Sequence, residues 1–229
     1  SIWDKAIELK EKLIEQKKEQ KKGLMQKLLL GEVRLPGYDA EWKKIKIGEL
    51  ITESKVVADT PDLNKRITVR LNLKGVQKRE VSAIEKVDAT TQYIRRAGQF
   101  IYGKQNLHKG ALGLVPKELD GFQSSSDIPS FDFESGVDGL WFYYYISRES
   151  FYTYLEVIST GTGSKRINPK DLYKVKIKVP PFEEQQRISK ILFCIDEEIK
   201  LNEKELEELR KQKKGLMQLL LTGKVRVKV

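Results

Sequence analysis

The sequence predicts an α+β fold in which one β-rich domain lies, in chain order, between two long helices that pair as an antiparallel coiled coil. Three observations carry this. Residues 20–34, QKKGLMQKLLLGEVR, recur at 212–226 as QKKGLMQLLLTGKVR, an offset of 192 residues with 12 of 15 positions identical. Apolar side chains recur at spacings of three and four through both copies. Between them the texture changes to short β-like runs punctuated by glycine. Solenoid units repeat every 20–50 residues or so. A far longer period describes one helical element used twice around an unrelated block.

The first element, residues 1–34, is predicted to be helical to about residue 30. Ile7, Ile14, Leu24 and Leu28 fall on one stripe with Trp3, interrupted by Lys10, Lys17 and Lys21. Ala6, Leu9 and Leu13 are expected to widen the apolar face. Gly31 suits a C-cap, and Pro36 stops the helix. The second element covers residues 183–229. The approach through Val179, Pro180, Pro181 and Phe182 is extended, because proline fixes its own φ and restricts the residue before it. Glu183 and Glu184 then set negative charge at a helix N-terminus. Ile188, Leu192, Ile195, Ile199, Leu206, Leu209 and Leu216 follow at alternating heptad spacings, with Asn202 and Lys213 as polar exceptions. Such a sustained stripe argues for a coiled coil, and a polar core residue can fix its register. Gly223 ends this helix as Gly31 ends the first. Subtracting 192 lays the second stripe onto the first. One helix runs into the central block and the other out of it, so an intrachain pair must be antiparallel.

The central block, residues 35–182, shows β-like runs at 42–47, 66–71, 99–102, 111–115 and 173–179. The aromatic run Trp-Phe-Tyr-Tyr-Tyr-Ile at 141–146 fits a buried strand or a helix; with 147–152 following, it is read as one helix.

Composition narrows the function. The 229 residues carry 33% charged side chains and a formal net charge of +10. A basic excess points to a polyanionic partner, nucleic acid ahead of a membrane surface; solvated lysine-rich helices account for the same number. No apolar stretch approaches the roughly 18 residues of a bilayer span, and no signal peptide is visible. The chain opens Ser1-Ile2-Trp3 without a methionine, so it is expected to begin partway into a longer protein. Cys194 is the one cysteine, which precludes an intrachain disulfide, fits the cytoplasm and reads as a small buried hydrophobe. With His108 as the one histidine, a usual zinc site has too few ligands.

Three loops are candidates for contacts. In 159–168, glycines allow close backbone approach to a phosphate. Thr160, Thr162 and Ser164 offer hydroxyls, and Lys165 and Arg166 offer charge. The phosphate-binding G-x-x-x-x-G-K-[ST] spacing is absent. In 102–110, Lys104 and Lys109 are basic, and Gln105 and Asn106 can pair with adenine edges. The third loop, 74–79, carries Lys78 and Arg79. For each, an ordinary surface turn is the competing reading. Val179 stands where an adenine methyltransferase has an Asn or Asp before Pro-Pro, and it cannot accept the target amino group's hydrogen bond. No glycine-rich S-adenosylmethionine loop and no nuclease-like carboxylate cluster occurs, so no catalysis is expected of this chain.

Together, the repeated helix, the β-rich insert, the run from Thr160 to Ile167 and the P-P-x-x-E-Q-x-x-I pattern (Pro180, Pro181, Glu184, Gln185, Ile188) resemble the specificity subunit of type I restriction–modification systems. The resemblance covers nearly the whole chain. It implies a target-recognition domain at 35–182 that reads one half of a split double-stranded DNA sequence. It also implies helices that dock methyltransferase subunits, with S-adenosylmethionine bound by that partner and translocase–nuclease subunits joining. Family members alternate two recognition domains with two helices. This chain has one domain, which fits the second half of a full subunit or a half-subunit that forms a homodimer. A coiled-coil adaptor without DNA contact, and the recognition part of a fused restriction–methylation enzyme, are the alternatives.

Overall fold

The computed structural model describes residues 2–81, 90–159, 165–222 and 224. The chain divides into two compact units, one of Ser1–Glu32 with Lys190–Val229 and one of Val33–Ser189.

In the first unit, helix α1 (Ile2–Leu30) lies antiparallel to the main part of helix α5 (Phe182–Leu221). Cross-helix partners fix the direction, because their numbers run oppositely. Lys18 meets Glu203 at 2.7 Å, Lys21 meets Asp196 at 2.6 Å, Glu11 meets Arg210 and Asp4 meets Lys213. Adding or subtracting the 192-residue offset converts Lys21–Asp196 into Lys213–Asp4, and Lys18–Glu203 into Arg210–Glu11. The sequence repeat therefore becomes an approximate two-fold axis across the stalk. Near that axis Lys10 donates to Asn202 Oδ1 at 2.8 Å, and these two are themselves repeat equivalents. Along the predicted stripe, Ile14, Leu28, Leu192, Ile199 and Leu206 are buried and Ile7, Leu24, Ile195, Leu209 and Leu216 are half-buried, while Ile188, also buried, belongs to the second unit. Two expectations fail. Leu9 is 58% exposed, and Leu13 also faces solvent. Cys194 is exposed, not a buried hydrophobe. A 3.5-residue seam keeps a narrow stripe against its partner, and these three residues fall outside it. Gly223 lies outside the described residues.

The second unit is built on an antiparallel four-stranded sheet in the order β2 (Ile51–Ser54), β9 (Ser130–Phe133), β6 (Phe100–Tyr102), β7 (Leu112–Leu114). Three two-stranded ribbons flank it: β1 (Lys43–Lys46) with β10 (Lys176–Val179), β3 (Ile67–Val69) with β4 (Val76–Lys78), and β5 (Tyr93–Ile94) with β8 (Gln123–Ser124). Strand β10 alternates as a half-buried strand should, with Ile177 and Val179 inward and both lysines outward. The predicted run at 173–179 begins late, because residues through Lys174 form helix α4 (Pro169–Lys174), started by proline in its first turn. The aromatic run is two helices, not one. Helix α2 (Gly139–Ile146) is capped by the Asp138 carboxylate accepting from Trp141 N at 2.7 Å. Arg148 then turns extended, with ψ 129°, before helix α3 (Glu149–Tyr154). Helix α2 is apolar around most of its circumference, so it is buried. Phe142 meets the Phe100 ring edge-on at 5.2 Å, and Tyr102 stacks on Phe131 at 5.6 Å.

The Pro-Pro-x-x-Glu-Gln segment is a lock. Buried Glu184 accepts from Arg34 Nε and Nη2, each at 2.9 Å, and from Trp42 Nε1 at 3.0 Å. Gln185 donates to the carbonyls of Gly136 and Pro180 and accepts from Asp138 N. Three segments distant in sequence are thereby tied to the first turn of α5.

Candidate nucleic-acid interface

The structure joins the predicted loop at 102–110 to the turn that precedes strand β4 on one side and to Ile167 on the other. Segment 74–79 is not wholly a loop: Gly75, at φ +75°, closes a hairpin turn in which Asn72 and Leu73 both adopt φ +56°, and Val76–Lys78 is strand β4. Lys78 and Arg79 are exposed three and four residues beyond Gly75, on or just past the strand rather than in the turn. The turn joins the second loop by backbone hydrogen bonds, Asn72 N to Lys109 O at 3.0 Å and Leu73 N to Gly110 O at 2.9 Å. Gly110, at φ +72°, allows this approach, since a Cβ there would lie 3.2 Å from Leu73 N.

The second loop is the β6–β7 connection, with a 3-10 turn at Leu107–Lys109. Gln105 and Lys109 are exposed, Lys104 and Asn106 half-buried, and His108 buried. Its other side holds the third loop. Ile167 N donates to Lys104 O at 2.9 Å, and the Tyr102 hydroxyl donates to Ile167 O at 3.1 Å. Burial pushes that hydroxyl well above its ordinary pKa, so it stays a donor. Thr160, Thr162 and Ser164 lie outside the described residues. Lys165 and Arg166 are described, and both face carboxylates: Lys165 Nζ meets Glu156 at 2.5 Å and Arg166 Nη1 meets Asp127 at 3.0 Å.

Beside Lys104 opens a cleft of about 430 Å³, lined by Lys55, Tyr93, Lys104 and Lys170 together with Glu53 and Arg95. Arg95 is only 1% exposed. Its guanidinium donates to Ser124 Oγ at 2.7 Å and Ser130 Oγ at 3.0 Å, and to the carbonyls of Ser54, Ser124 and Ser125. It also sits 5.3 Å from the Tyr93 ring centroid. Burial lowers its pKa to about 10, so it remains a cation at neutral pH. Lys55 pairs with Glu53 at 3.1 Å, whose hydrogen bond holds the ammonium above its ordinary value. Sequence reasoning missed Arg95, Lys55 and Lys170. A period-two reading of Tyr93-Ile94-Arg95 would have put Tyr93 and Arg95 on one side of a strand. Nothing local distinguishes a buried arginine from its solvated neighbour Arg96.

The chain belongs to the type I restriction modification DNA specificity domain family, whose model matches residues 40–211. It is 45% identical over 92 residues to the type I restriction enzyme MjaX specificity subunit of Methanocaldococcus jannaschii, and 38% identical over 92 residues to the MjaVIII subunit of the same organism. Each match covers 40% of this chain, and 21% and 22% of those relatives. Its fold matches the type I restriction–modification S subunit of M. genitalium with TM-score 0.60 at 15% identity, covering 94% of this chain and 57% of that one. The HsdS subunit of Thermoanaerobacter tengcongensis matches with TM-score 0.52 at 16% identity, over 95% and 55%. The chain thus spans about half the length of these solved subunits. Among the described residues no helix is long and apolar enough to cross a membrane.

Proposed function

We propose that this chain is the non-catalytic DNA-reading part of a type I restriction–modification complex in the cytoplasm. In this reading the unit at 33–189 contacts one half of a split double-stranded target. The helices dock methyltransferase subunits, which bind S-adenosylmethionine, and translocase–nuclease subunits join that assembly. The observation that carries it is that the basic turn at 70–75 and the basic loop at 102–110 are joined by backbone hydrogen bonds, with Ile167 fixed to the Lys104 carbonyl of that loop. Phosphate contacts need cations gathered on one surface, and base readout needs polar side chains held beside them. Gln105 and Asn106 are the proposed base readers.

Docking is supported by Leu9 and Leu201. These repeat equivalents are 58% and 57% exposed, and both lie on the side of the stalk away from the paired charges at Glu11–Arg210 and Lys18–Glu203. Exposed apolar residues placed equivalently about a two-fold axis suit two copies of one partner.

The test is duplex binding by the purified chain, followed by fluorescence anisotropy across a salt series. A DNA-reading module loses affinity linearly with log salt. A protein-binding adaptor shows no saturable duplex binding at low salt, and that result would remove the proposal.

A further inference from the structure

We infer that the cleft between Lys104 and Lys170, over the buried guanidinium of Arg95, seats a backbone phosphodiester of DNA and supplies the sequence-independent part of the affinity. The inference rests on the DNA-reading function proposed above and relocates its electrostatic anchor. Sequence alone favours Lys165 and Arg166 for that task. Both already face carboxylates, Glu156 and Asp127, so each pair is formally neutral. Lys55 and Glu53 form a third such pair. Among the described residues no salt bridge joins a carboxylate to Lys104, Lys170 or Arg95, although the charge of Glu53 acts on Arg95 as well as on Lys55. The cleft lining sets four cations against that one carboxylate, a formal excess of three in about 430 Å³.

The chemistry of Arg95 separates a phosphate seat from a base reader. Reading guanine requires two free guanidinium donors in a fork. In Arg95 the Nε, Nη1 and Nη2 groups are all engaged, by two serine hydroxyls and three backbone carbonyls. It contributes charge but no donor pattern. A cation caged by neutral oxygens in a poorly hydrated site is favoured by an approaching anion, because little solvent screens the attraction. Lys104 and Lys170 add point charges on flexible stems, which suit phosphate oxygens without demanding a fixed base geometry. Lys104 also belongs to the loop that carries Gln105 and Asn106, so a phosphate held there would register those side chains against the adjacent bases.

The experiment measures random-sequence duplex binding by the full chain in a salt series, for wild type and two variants. Lys104→Gln/Lys170→Gln removes two cleft cations that lie at the surface. Arg166→Gln/Asp127→Asn removes the competing cation with its carboxylate, leaving net charge unchanged. The cleft variant should lower the log–log salt slope by about 0.9, the value for one phosphate contact, with an unchanged melting temperature. The neutral variant should leave the slope unaltered. A cleft variant with the wild-type slope overturns the phosphate seat while leaving the DNA-reading function standing. Loss of slope in the Arg166 variant returns the anchor to the third loop and likewise overturns it. Wild-type protein that fails to bind duplex removes the function and the seat together. A parallel titration with inorganic phosphate at constant ionic strength separates the sources. The seat predicts no saturable thermal stabilisation. Saturable stabilisation that the cleft variant loses, with its DNA slope intact, assigns the cleft to a free anion instead.

Discussion

Replacing Glu184 by Gln keeps the shape of the lock at the start of α5 and removes its charge. The carboxylate accepts three hydrogen bonds, two from Arg34 and one from Trp42 Nε1. A carboxamide has one acceptor oxygen, so its NH₂ group must face an N–H donor on one side. At least one bond is lost, and the others cease to be charge-assisted. Hydrogen bonds to charged groups contribute roughly 1.5–3 kcal/mol each. Arg34 is 30% exposed and can recover water, which discounts the penalty, so the expected loss is about 2–4 kcal/mol. At roughly 2–4 °C per kcal/mol for a protein of this size, the melting temperature should fall by about 5–12 °C. Calorimetry on Glu184→Gln, Arg34→Met and the double variant completes a cycle. The double variant should lose much less than the sum of the singles, because each single strands the other's partner. Additive losses, or a Glu184→Gln melting temperature within about 2 °C of wild type, would refute the lock.

Three further outcomes are expected. Leu206→Ala in the buried seam should cost about 2–3 kcal/mol, and Ile199→Asp should abolish the stalk's cooperative helix loss in circular dichroism by burying an unpaired charge; unaltered melting in both would mean that the seam is misplaced. Burial holds the His108 imidazole below its ordinary pKa, with Lys109 and Lys165 acting in the same direction and Glu156 against it. The unfolded chain therefore binds the proton more readily, and this contribution to stability is full above about pH 6.5 and is lost as pH falls below it. His108→Gln should flatten that part of the denaturation midpoint's pH dependence, and an identical profile in the variant would contradict the burial argument. Gln105→Ala with Asn106→Ala should cost about 1–3 kcal/mol on the cognate half-site and little on random duplex, in competition binding; equal losses on both would show that these residues do not read bases.

The sequence disclosed the stalk because its signal is local and repeated. Heptad spacing names the seam residues directly, and an offset of 192 turns one helix into the other. The same periodicity overextended itself at Leu9, Leu13 and Cys194, because a list of apolar residues does not say how narrow the seam will be. The recognition unit was legible only in outline. Strands β2 and β9, Ile-Thr-Glu-Ser and Ser-Phe-Asp-Phe, are too short for alternation to announce them, yet they pair next to each other in the central sheet. Asn168-Pro169 carried a helix-start signal that the apolar run at 173–179 masked. The three loops were individually visible, but the bonds that join 102–110 to its neighbours depend on Asn72, Lys104 and Ile167 finding partners far along the chain, which no window of sequence contains. Arg95 was the least legible, because its role follows from burial among serines and not from its neighbours in the chain.

The central claim is that this chain reads a DNA sequence through its β-rich unit. Selection from a randomised duplex pool by the purified chain, with sequencing of the bound fraction, tests it most directly. The account predicts enrichment of one short contiguous motif, a single half-site, and loss of that enrichment in the Gln105→Ala/Asn106→Ala variant while duplex is still retained. A bound fraction whose composition matches the input pool would contradict it.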